Sequence, residues 1–352
     1  MNPYWSALAR TLRPYTPGEQ PRVEGLVKLN TNESPYGPSP KALAAIRAAA
    51  SDDLRLYPDP EARRLRAMLA AYHGVRPENL FVGNGSDEVL AHAFAALLRH
   101  DAPLLFADVT YSFYPVYAQL TGVRFETVAV DADLRLRLAD YRPPCGAIVL
   151  ANPNAPTGVA LPLAEIAALV EARRDIPVLI DEAYVDFGGE TALPLIANHP
   201  NLLVVRTMSK SRALAGLRVG YAIGEAGLIE ALVRVKDSFN SYPLGRPAQE
   251  GAIASVEDEP YFQARLKDVI AERSAMTGGL ARLGFEVMPS AANFVFARRP
   301  GYAGAELAAG LRDRAVLVRH FAKPRIADFL RITVGRPADT ERLLAALGDI
   351  VG

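Results

Sequence analysis

Lys210 stands where a reactive amine would be useful. It closes the segment Arg206–Lys210 (RTMSK), which follows directly on an apolar run and places a hydroxyl residue on either side of Met208. Before position 236 the other lysines are Lys28 and Lys41, and arginine carries most of the positive charge. Because lysine deprotonates far more readily than arginine, this placement indicates attack on a carbonyl rather than a solvated surface charge.

An acidic residue ends a second apolar run. Asp181 follows Val178–Ile180 and precedes Glu182–Tyr184 (EAY). Burying a carboxylate there is costly unless its charge is compensated, and open α/β sheets bind ligands beyond the carboxyl ends of their strands. Asp181 therefore suits a cationic partner such as a protonated pyridine nitrogen. The alternative is an acidic pair for Mg²⁺, but the G-x-x-x-x-G-K-[ST] loop that would support it is absent from the sequence.

Two segments are suited to a phosphate group. Gly83–Glu88 (GNGSDE) lies between an apolar run and a helical pattern, where glycines allow a sharp turn and a Ser or Asp cap leaves N–H groups free to bind an anion. By itself this segment is more simply an ordinary strand-to-helix turn. Arg218, within Ala215–Gly220 (AGLRVG), follows Lys210 in the chain and can bind a phosphate through two parallel hydrogen bonds.

Two further features follow predicted strands. Asn152–Gly158 (NPNAPTG) consists of the usual turn formers and needs no special role as a turn. Tyr111 could stack on a flat ring, although an aromatic residue in this place also suits a hydrophobic core.

Short apolar runs alternate with segments of helical period, a pattern typical of a mostly parallel α/β sheet. Three segments predict connecting helices: Ala62–Tyr72, Glu88–Leu98 and Leu161–Arg173. Seven runs predict strands: Leu80–Val82, Pro103–Phe106, Arg124–Val128, Ala147–Leu150, Val178–Ile180, Leu202–Arg206 and Val219–Ile223.

The pattern changes beyond about Asn240. A long helical stretch from about Ala248 to Leu283 precedes short strands and two more helices, which indicates a smaller α+β unit. The first 35 residues are rich in proline and lack periodicity. We therefore expect an arm at 1–35, a large α/β domain at 36–240 and a small α+β domain at 241–352. The elements predicted after the long helix are Glu286–Met288, Phe294–Ala297, Ala305–Asp313, Val316–Arg319, Leu330–Val334 and Thr340–Asp349.

Composition argues against several classes of protein. The 352 residues carry 39 basic and 39 acidic side chains, so the concentrated positive charge of a nucleic-acid-binding protein is missing. One cysteine, Cys145, and five scattered histidines without an H-E-x-x-H pair give no metal site. Apolar runs stay well short of the ~20 residues that span a bilayer, and Arg10, Arg13 and Pro14 interrupt the start of the chain. We expect no nucleic-acid or membrane partner and a cytoplasmic location.

Taken together and in order, these motifs resemble the fold-type-I pyridoxal-phosphate aminotransferases. The resemblance rests on GSD (85–87), NPNAPTG (152–158), DEAY (181–184), SK (209–210) and GLR (216–218). Three further segments narrow the resemblance to the histidinol-phosphate aminotransferase branch: Leu29–Pro38 (LNTNESPYGP), Arg55–Asp59 (RLYPD) and Leu330–Gly335 (LRITVG). It covers the chain from about Arg13 to the last helix, and it implies a three-layer fold with a mostly parallel seven-stranded sheet and a smaller C-terminal domain.

The resemblance also implies roles for individual residues. Lys210 would carry pyridoxal 5′-phosphate as a Schiff base and move a proton, Asp181 would pair with the ring nitrogen, and Tyr184 would hydrogen-bond the ring oxygen O3′. The other residues group by what they would contact: the ring face (Tyr111), the cofactor phosphate (Gly85, Ser86, Asp87 through its backbone N–H, Ser209 and Arg218), the phosphate of the neighbouring subunit's cofactor (Tyr57) and the substrate's anionic end (Arg331, with Arg319 and Tyr15 beside it).

The chain departs from the family pattern at Ala155. The family usually has Asn immediately before Pro-Thr-Gly, where its amide contacts O3′ of the cofactor. We expect Asn154 to supply that contact from one residue earlier, with Tyr184 alone on O3′ as the alternative. The loss of one hydrogen bond, about 1 kcal/mol, would tune the cofactor without abolishing its chemistry.

The implied activity is transamination between histidinol phosphate and glutamate or 2-oxoglutarate, in histidine biosynthesis, by a homodimer. One arginine, Arg331, could bind either the phosphate monoester or the carboxylate in the same pocket. An aminotransferase for aromatic or other amino acids, or a threonine-phosphate decarboxylase, would share nearly all of these residues. A regulatory protein that retains the fold would be expected to carry a DNA-binding segment or to lack the lysine, and neither is found in the sequence.

Overall fold

The structure, a computed structural model, describes residues 2–21 and 24–352. Met1, Arg22 and Val23, which belong to the expected arm, lie outside the described residues. The strands are Val27–Leu29 (β1), Leu80–Asn84 (β2), Leu104–Ala107 (β3), Phe125–Val128 (β4), Ala147–Ala151 (β5), Val178–Asp181 (β6), Leu202–Thr207 (β7), Val219–Gly224 (β8), Glu286–Val287 (β9), Phe294–Arg298 (β10), Val316–His320 (β11) and Phe329–Thr333 (β12).

The α-helices lie between these strands. They are Ala7–Thr11 (α1), Pro40–Ala49 (α2), Arg63–His73 (α3), Gly85–Ala96 (α4), Tyr114–Thr121 (α5), Leu163–Ala172 (α6), Ala226–Asp237 (α7), Arg246–Glu257 (α8), Glu259–Arg282 (α9), Gly304–Asp313 (α10) and Pro337–Val351 (α11). Across the described ranges, none of them is both long enough and apolar enough to cross a membrane.

Seven strands form the large sheet, in the order β2-β8-β7-β6-β5-β3-β4. These are the seven strands predicted from the sequence, and the mostly parallel α/β fold is confirmed. Only β8 runs against its neighbours, because it pairs antiparallel with both β2 and β7. The carboxyl ends of the other six strands and the start of β8 therefore lie at one edge of the sheet.

Both faces of this sheet are covered by helices, which gives three layers. Along β5, Ile148 and Leu150 pack with residues of α6, whereas Val149 packs on the opposite face with residues of α4 and α7. Side chains alternate between the two faces of a strand, so a strand buried on both faces is apolar throughout. This explains why continuous apolar runs located the inner strands in the sequence; the edge strand β4 is mostly exposed and is the exception.

A second, five-stranded sheet has the order β1-β11-β12-β10-β9. Its first strand, β1, belongs to the segment expected as an arm and pairs parallel with β11 through Val27 and Val316. Val27 and Leu29 are buried in the core of this sheet, whereas Lys28 between them is partly exposed. The first 35 residues thus contribute a strand to the small sheet as well as the chain that leads into it.

The long helical stretch predicted from Ala248 to Leu283 is two helices. α8 ends at Glu257 and α9 begins at Glu259, with Asp258 between them outside the helical conformation (φ −96°, ψ 50°). Pro260 lies in the first turn of α9, where a missing backbone N–H is tolerated. Apolar periodicity continued through the break, so it gave no sign of the interruption.

Candidate active site

A cleft of about 250 Å³ opens at the carboxyl edge of the large sheet, where the small sheet and the segment around Asn30 meet it. Most of the residues that the sequence assigned to a site line this cleft. They are Tyr15, Ser86, Asp87, Tyr111, Asp181, Tyr184, Ser209, Lys210, Arg218, Arg319 and Arg331. The gathering follows from topology, because the strands that carry these residues or precede them end at the same edge.

Asp181 is a buried carboxylate at the end of β6, exposed over only 5% of its surface. Its Oδ2 accepts a hydrogen bond from the Tyr114 hydroxyl at 3.0 Å, and its Oδ1 accepts one from the backbone N–H of Ala183 at 3.2 Å. Burial raises the pKa of Asp181 to about 6, while these two hydrogen bonds and the charge of Lys210 oppose the rise. The site therefore favours a cationic ligand group that can share this carboxylate's charge.

The start of α4 provides a group of free backbone donors. The helix begins at Gly85, and within the described chain no side chain caps it, so the predicted Ser or Asp cap is wrong. Gly85 has a φ of +80°, and a Cβ there would collide with the guanidinium of Arg218. A Cβ on Gly220 would likewise collide with the backbone of Gly85 and Ser86. These two glycines allow β8, Arg218 and the helix start to approach closely enough to share one anion.

Arg218 reaches this helix start from the turn before β8. It adopts a left-handed backbone conformation (φ 54°), an unusual one for a residue other than glycine. Its Nη2 donates to Oδ2 of Asp87 at 2.8 Å, and its Nη1 lies 3.5 Å from the Ser209 hydroxyl oxygen. The guanidinium is thus directed toward the hydroxyl and backbone donors that could surround a phosphate.

The carboxylate of Asp87 is held on the side of the aromatic residues. Besides Arg218, it accepts hydrogen bonds from the hydroxyls of Tyr111 at 3.0 Å and Tyr117 at 3.2 Å. Burial, together with the negative charge of Asp87, raises the pKa of both phenols, so they remain protonated donors. This agrees with the expectation that Asp87 offers an anion its backbone N–H rather than its carboxylate.

Lys210 follows β7 and extends into the cleft. Its Nζ lies 3.4 Å from the carbonyl oxygen of Thr31 and 6.0 Å from the centre of the Tyr184 ring. The hydroxyl of Tyr184 accepts a hydrogen bond from Nδ2 of Asn32 at 2.9 Å. The lysine amine and the tyrosine hydroxyl therefore share a wall of the cleft with the segment that leads out of β1.

Arg331 forms the opposite, positively charged end. Its Nη2 donates to the carbonyl oxygen of Asn30 at 2.9 Å, and its Nε finds no hydrogen-bond partner among residues 2–21 and 24–352. The guanidinium lies 5.5 Å from the ring centres of both Phe294 and Phe321. Burial lowers the pKa of Arg331, because this apolar surrounding disfavours its charge. A guanidinium that lines the cleft in such a place is suited to bind an anion from it.

Tyr15 and Arg319 complete this end of the cleft. Tyr15 packs on Phe113 with the ring centres 4.7 Å apart, and Nη2 of Arg319 lies 3.3 Å from the carbonyl oxygen of Thr16. The chain from Tyr15 to Gly18 therefore forms a wall beside Arg331.

Three residues assigned from the sequence are not among those that line this chain's cleft: Gly85, which lies behind it at the start of α4, Asn154 and Tyr57. Asn154 is fully buried, and its amide already bonds Thr110, the Val109 carbonyl and Thr157 at 2.8, 2.9 and 3.2 Å. Ala155 lines the cleft in its place, so the structure does not support Asn154 as the replacement contact.

Tyr57 lies at the surface of the protein. It is 80% exposed and stacks on Tyr242 at 4.6 Å. It lies outside the residues that line the cleft of its own chain.

Sequence reasoning missed Tyr114, Asn32 and Thr31, which contact Asp181, Tyr184 and Lys210 respectively. Tyr114 lies in a tyrosine-rich segment that carries no motif of its own. Asn32 stood within the Leu29–Pro38 motif, and that motif was the available signal.

Comparison with known proteins gives a consistent result. Residues 24–347 match the family described as aminotransferase class I and II. Over the whole of both chains, the sequence is 64% identical to histidinol-phosphate aminotransferase 2 of Rhizobium meliloti and 60% identical to histidinol-phosphate aminotransferase of Aromatoleum aromaticum.

The fold resembles the crystal structure of histidinol-phosphate aminotransferase from Sinorhizobium meliloti in complex with pyridoxal-5′-phosphate. The TM-score is 0.84 at 29% identity, over 92% of this chain and 90% of that one. The histidinol-phosphate aminotransferase from Clostridium acetobutylicum shares the fold with a TM-score of 0.85 at 23% identity, over 93% and 99% of the two chains.

Proposed function

The chain belongs to the class I and II aminotransferases, and we propose that it uses pyridoxal 5′-phosphate to transfer an amino group between histidinol phosphate and 2-oxoglutarate. The 64% identity to a histidinol-phosphate aminotransferase over the full length of both proteins supports this substrate. The reaction would serve histidine biosynthesis.

The residues of the cleft fit this cofactor. A buried carboxylate at Asp181 suits a protonated pyridine nitrogen, and the free N–H groups at the start of α4, with Ser209 and Arg218, suit a dianionic phosphate. Tyr111 presents an aromatic ring to the same cleft. Lys210 brings to it a primary amine that can condense with an aldehyde.

The bound cofactor would supply an electron sink that stabilises negative charge at the substrate's α-carbon. The chain's own residues would do the rest. Asp181 would keep the ring nitrogen protonated, Tyr184 would donate to the ring oxygen, and Lys210 would take the proton from the substrate's α-carbon and hold it for its return. Arg331 would fix the far end of the substrate and so orient the bond that breaks.

The observation that carries the proposal is the guanidinium of Arg331, which lines the cleft in an apolar surrounding. Either a phosphate monoester or a carboxylate can accept charge-assisted hydrogen bonds from such a guanidinium. One pocket could therefore serve histidinol phosphate in one half-reaction and glutamate in the other. Arg319 and Tyr15 would contribute to the same anion site as secondary contacts.

We also propose a homodimer in which Tyr57 reaches the phosphate of the neighbouring subunit's cofactor. Tyr57 and Tyr242 are stacked, and both are exposed, Tyr57 over 80% and Tyr242 over 42% of its surface. Such an exposed aromatic group is typical of a surface that another chain covers. A cytoplasmic location suits the one free, buried cysteine, Cys145.

Borohydride reduction tests the assignment of Lys210. Reduction of the purified protein with bound pyridoxal phosphate should attach the cofactor permanently to the peptide that contains Lys210, as peptide mass spectrometry would show. Lys210→Ala should prevent this labelling and abolish transamination. Lys41→Ala, which removes a lysine that is 61% exposed, is the matched control and should leave both intact. Labelling that persists in Lys210→Ala would refute the role of this amine.

A panel of amino donors tests the substrate. Histidinol phosphate, tyrosine, phenylalanine and threonine phosphate should be compared by the absorbance change as the cofactor converts to its amine form. The proposal predicts the highest kcat/KM for histidinol phosphate. A higher value for tyrosine or phenylalanine would favour an aromatic aminotransferase, and release of CO₂ from threonine phosphate would favour a decarboxylase.

A further inference from the structure

Asn32 links the small sheet to Tyr184. It is 1% exposed and follows β1, and its Nδ2 donates to the Tyr184 hydroxyl oxygen at 2.9 Å. A tyrosine hydroxyl has one hydrogen to donate and two lone pairs to accept with. Because the Asn32 amide occupies one lone pair, the hydroxyl hydrogen of Tyr184 is left for another acceptor.

Thr333 fixes which end of the Asn32 amide faces Tyr184. Its hydroxyl oxygen accepts the backbone N–H of Asn32 at 3.0 Å, and its hydroxyl hydrogen goes to Oδ1 of Asn32 at 3.1 Å. A reversed amide would leave the Thr333 hydrogen without this acceptor inside a buried site, which is costly. The NH₂ end of Asn32 is therefore held toward the tyrosine.

The backbone at position 32 also favours asparagine. Asn32 has a φ of 57°, in the left-handed region that asparagine tolerates better than most residues. Its carbonyl oxygen accepts from Nδ2 of Asn293, which is fully buried, at 3.0 Å. Backbone and side chain are thus both fixed, so the amide is a rigid donor rather than a mobile surface group.

We propose that Asn32, oriented by Thr333, is a positioning residue that directs the Tyr184 hydroxyl hydrogen into the cleft, toward an oxygen of the bound cofactor. Thr333 lies two residues beyond Arg331 on β12, so the strand that would hold the substrate's anion also sets the polarity of the cofactor's hydrogen bond. This inference rests on the proposed function.

The test is a pH titration of the visible absorbance of the bound cofactor, without substrate, in the intact holoenzyme. A hydrogen bond donated to an anionic oxygen of the cofactor stabilises the cofactor's ionised form and lowers the pH at the midpoint of this titration. Asn32→Gly removes the amide while it keeps the left-handed backbone free of strain. It should raise the midpoint by roughly 0.5 to 1 pH unit, the equivalent of one weakened hydrogen bond.

Thr333 provides a matched pair of variants. Thr333→Val removes the hydroxyl at nearly constant shape and should raise the midpoint in the same direction, whereas Thr333→Ser keeps the hydroxyl and should leave it unchanged. The Thr333 pair tests the same link if Asn32→Gly does not fold.

The decisive comparison is made in Tyr184→Phe. If Asn32 acts through the tyrosine hydroxyl, adding Asn32→Gly to Tyr184→Phe should move the midpoint no further. An equal shift of the midpoint in both backgrounds would overturn the inference, and so would a folded Asn32→Gly holoenzyme whose midpoint is unchanged. Neither result would contradict cofactor binding or transamination by the unaltered protein. An unaltered protein that binds no pyridoxal phosphate would overturn the proposed function and this inference together.

Discussion

The hydroxyl of Tyr114 donates to Oδ2 of Asp181 across 3.0 Å and joins the buried start of α5 to the carboxyl end of β6. Tyr114 has no exposed surface, and its ring packs edge-on against Tyr111 at 5.5 Å. It is the one side-chain hydrogen-bond donor to this carboxylate in the part of the chain that the structure describes. The charge state of Asp181 therefore depends on a residue that lies behind the cleft.

Tyr114→Phe should weaken cofactor binding in a pH-dependent way. Loss of one hydrogen bond to the ionised form raises the pKa of Asp181 above its present value of about 6, by roughly one unit. Since the cofactor's ring nitrogen would bind the ionised carboxylate, the Kd for pyridoxal phosphate should rise roughly fivefold at pH 6 and return to the unaltered value toward pH 9. Titration of the apo-protein with pyridoxal phosphate at several pH values measures this Kd.

The control for that experiment lies on the same helix. Tyr117→Phe removes a hydroxyl that donates to Asp87 at 3.2 Å rather than to Asp181. The Kd of Tyr117→Phe for pyridoxal phosphate should not show the same dependence on pH. Equal Kd ratios at pH 6 and pH 9 in Tyr114→Phe would contradict the role given to this hydrogen bond.

The buried acid should also make the apo-protein less stable as the pH rises. Burial raises the pKa of Asp181 from the ordinary 3.8 to about 6, so between these values the folded state holds more protons than the unfolded state. Stability then falls as the pH rises through this window and stays lower above it. Asp181→Asn has no proton to lose, so at pH 8 its apo-protein should be more stable by on the order of 1–3 kcal/mol.

Thermal unfolding of both apo-proteins at pH 4.5 and pH 8 checks this expectation. The difference in Tm should be clear at pH 8 and small at pH 4.5, while Asp181→Asn loses transamination. A difference of the same size at both pH values would show that the stability effect comes from packing and not from ionisation.

The close approach of β8 to α4 yields a paired glycine test. In Gly220→Ala the new Cβ would collide with backbone atoms of Gly85 and Ser86, so the strand and the helix start must separate. We expect a lower Tm and a Kd for pyridoxal phosphate at least tenfold higher, because the N–H groups that face the phosphate would move.

Gly216→Ala, in the same motif, is the control for this substitution. In the described structure its Cβ would meet no atom within 4 Å, so both values should stay near those of the unaltered protein. A Gly220→Ala protein with unchanged cofactor affinity would contradict the assignment of this helix start to the phosphate.

The sequence located the sheet and most of the cleft for physical reasons that also explain what it missed. Strands buried on both faces are apolar throughout, and ligand residues follow their carboxyl ends, so both are visible as local patterns. β1 has three residues with Lys28 in the middle, so its pattern was too short to predict a strand. Its place was set by pairing with β11, almost 300 residues later in the chain.

The missed contacts also depend on distant parts of the chain. Tyr114 and Asp181 are 67 residues apart, and Asn32 and Tyr184 are 152 apart. Asn154 illustrates a different difficulty. It is the direct neighbour of Ala155 in a loop of turn-forming residues, and the sequence does not show which of the two faces the cleft. Which of the two faces the cleft depends on the buried partners Thr110, Val109 and Thr157, and no local spacing rule gives them.

We expect Arg331 to lower the stability of the apo-protein and to strengthen substrate binding. Its guanidinium lies 5.5 Å from the ring centres of both Phe294 and Phe321, burial lowers its pKa, and Nε lacks a partner within the described residues. Arg331→Met keeps an unbranched apolar stem near the two rings and removes the buried charge. The free energy of unfolding of the apo-protein should therefore rise by about 1–4 kcal/mol, as urea denaturation would show.

The same substitution should raise KM for both histidinol phosphate and glutamate by roughly 10- to 100-fold, the effect of losing charged hydrogen bonds. Arg319→Met is the comparison, because its guanidinium lies beside the Thr16 carbonyl at the rim and should matter less for both substrates. A loss confined to one substrate would mean that the two anions bind in different places, and the shared pocket would have to be abandoned.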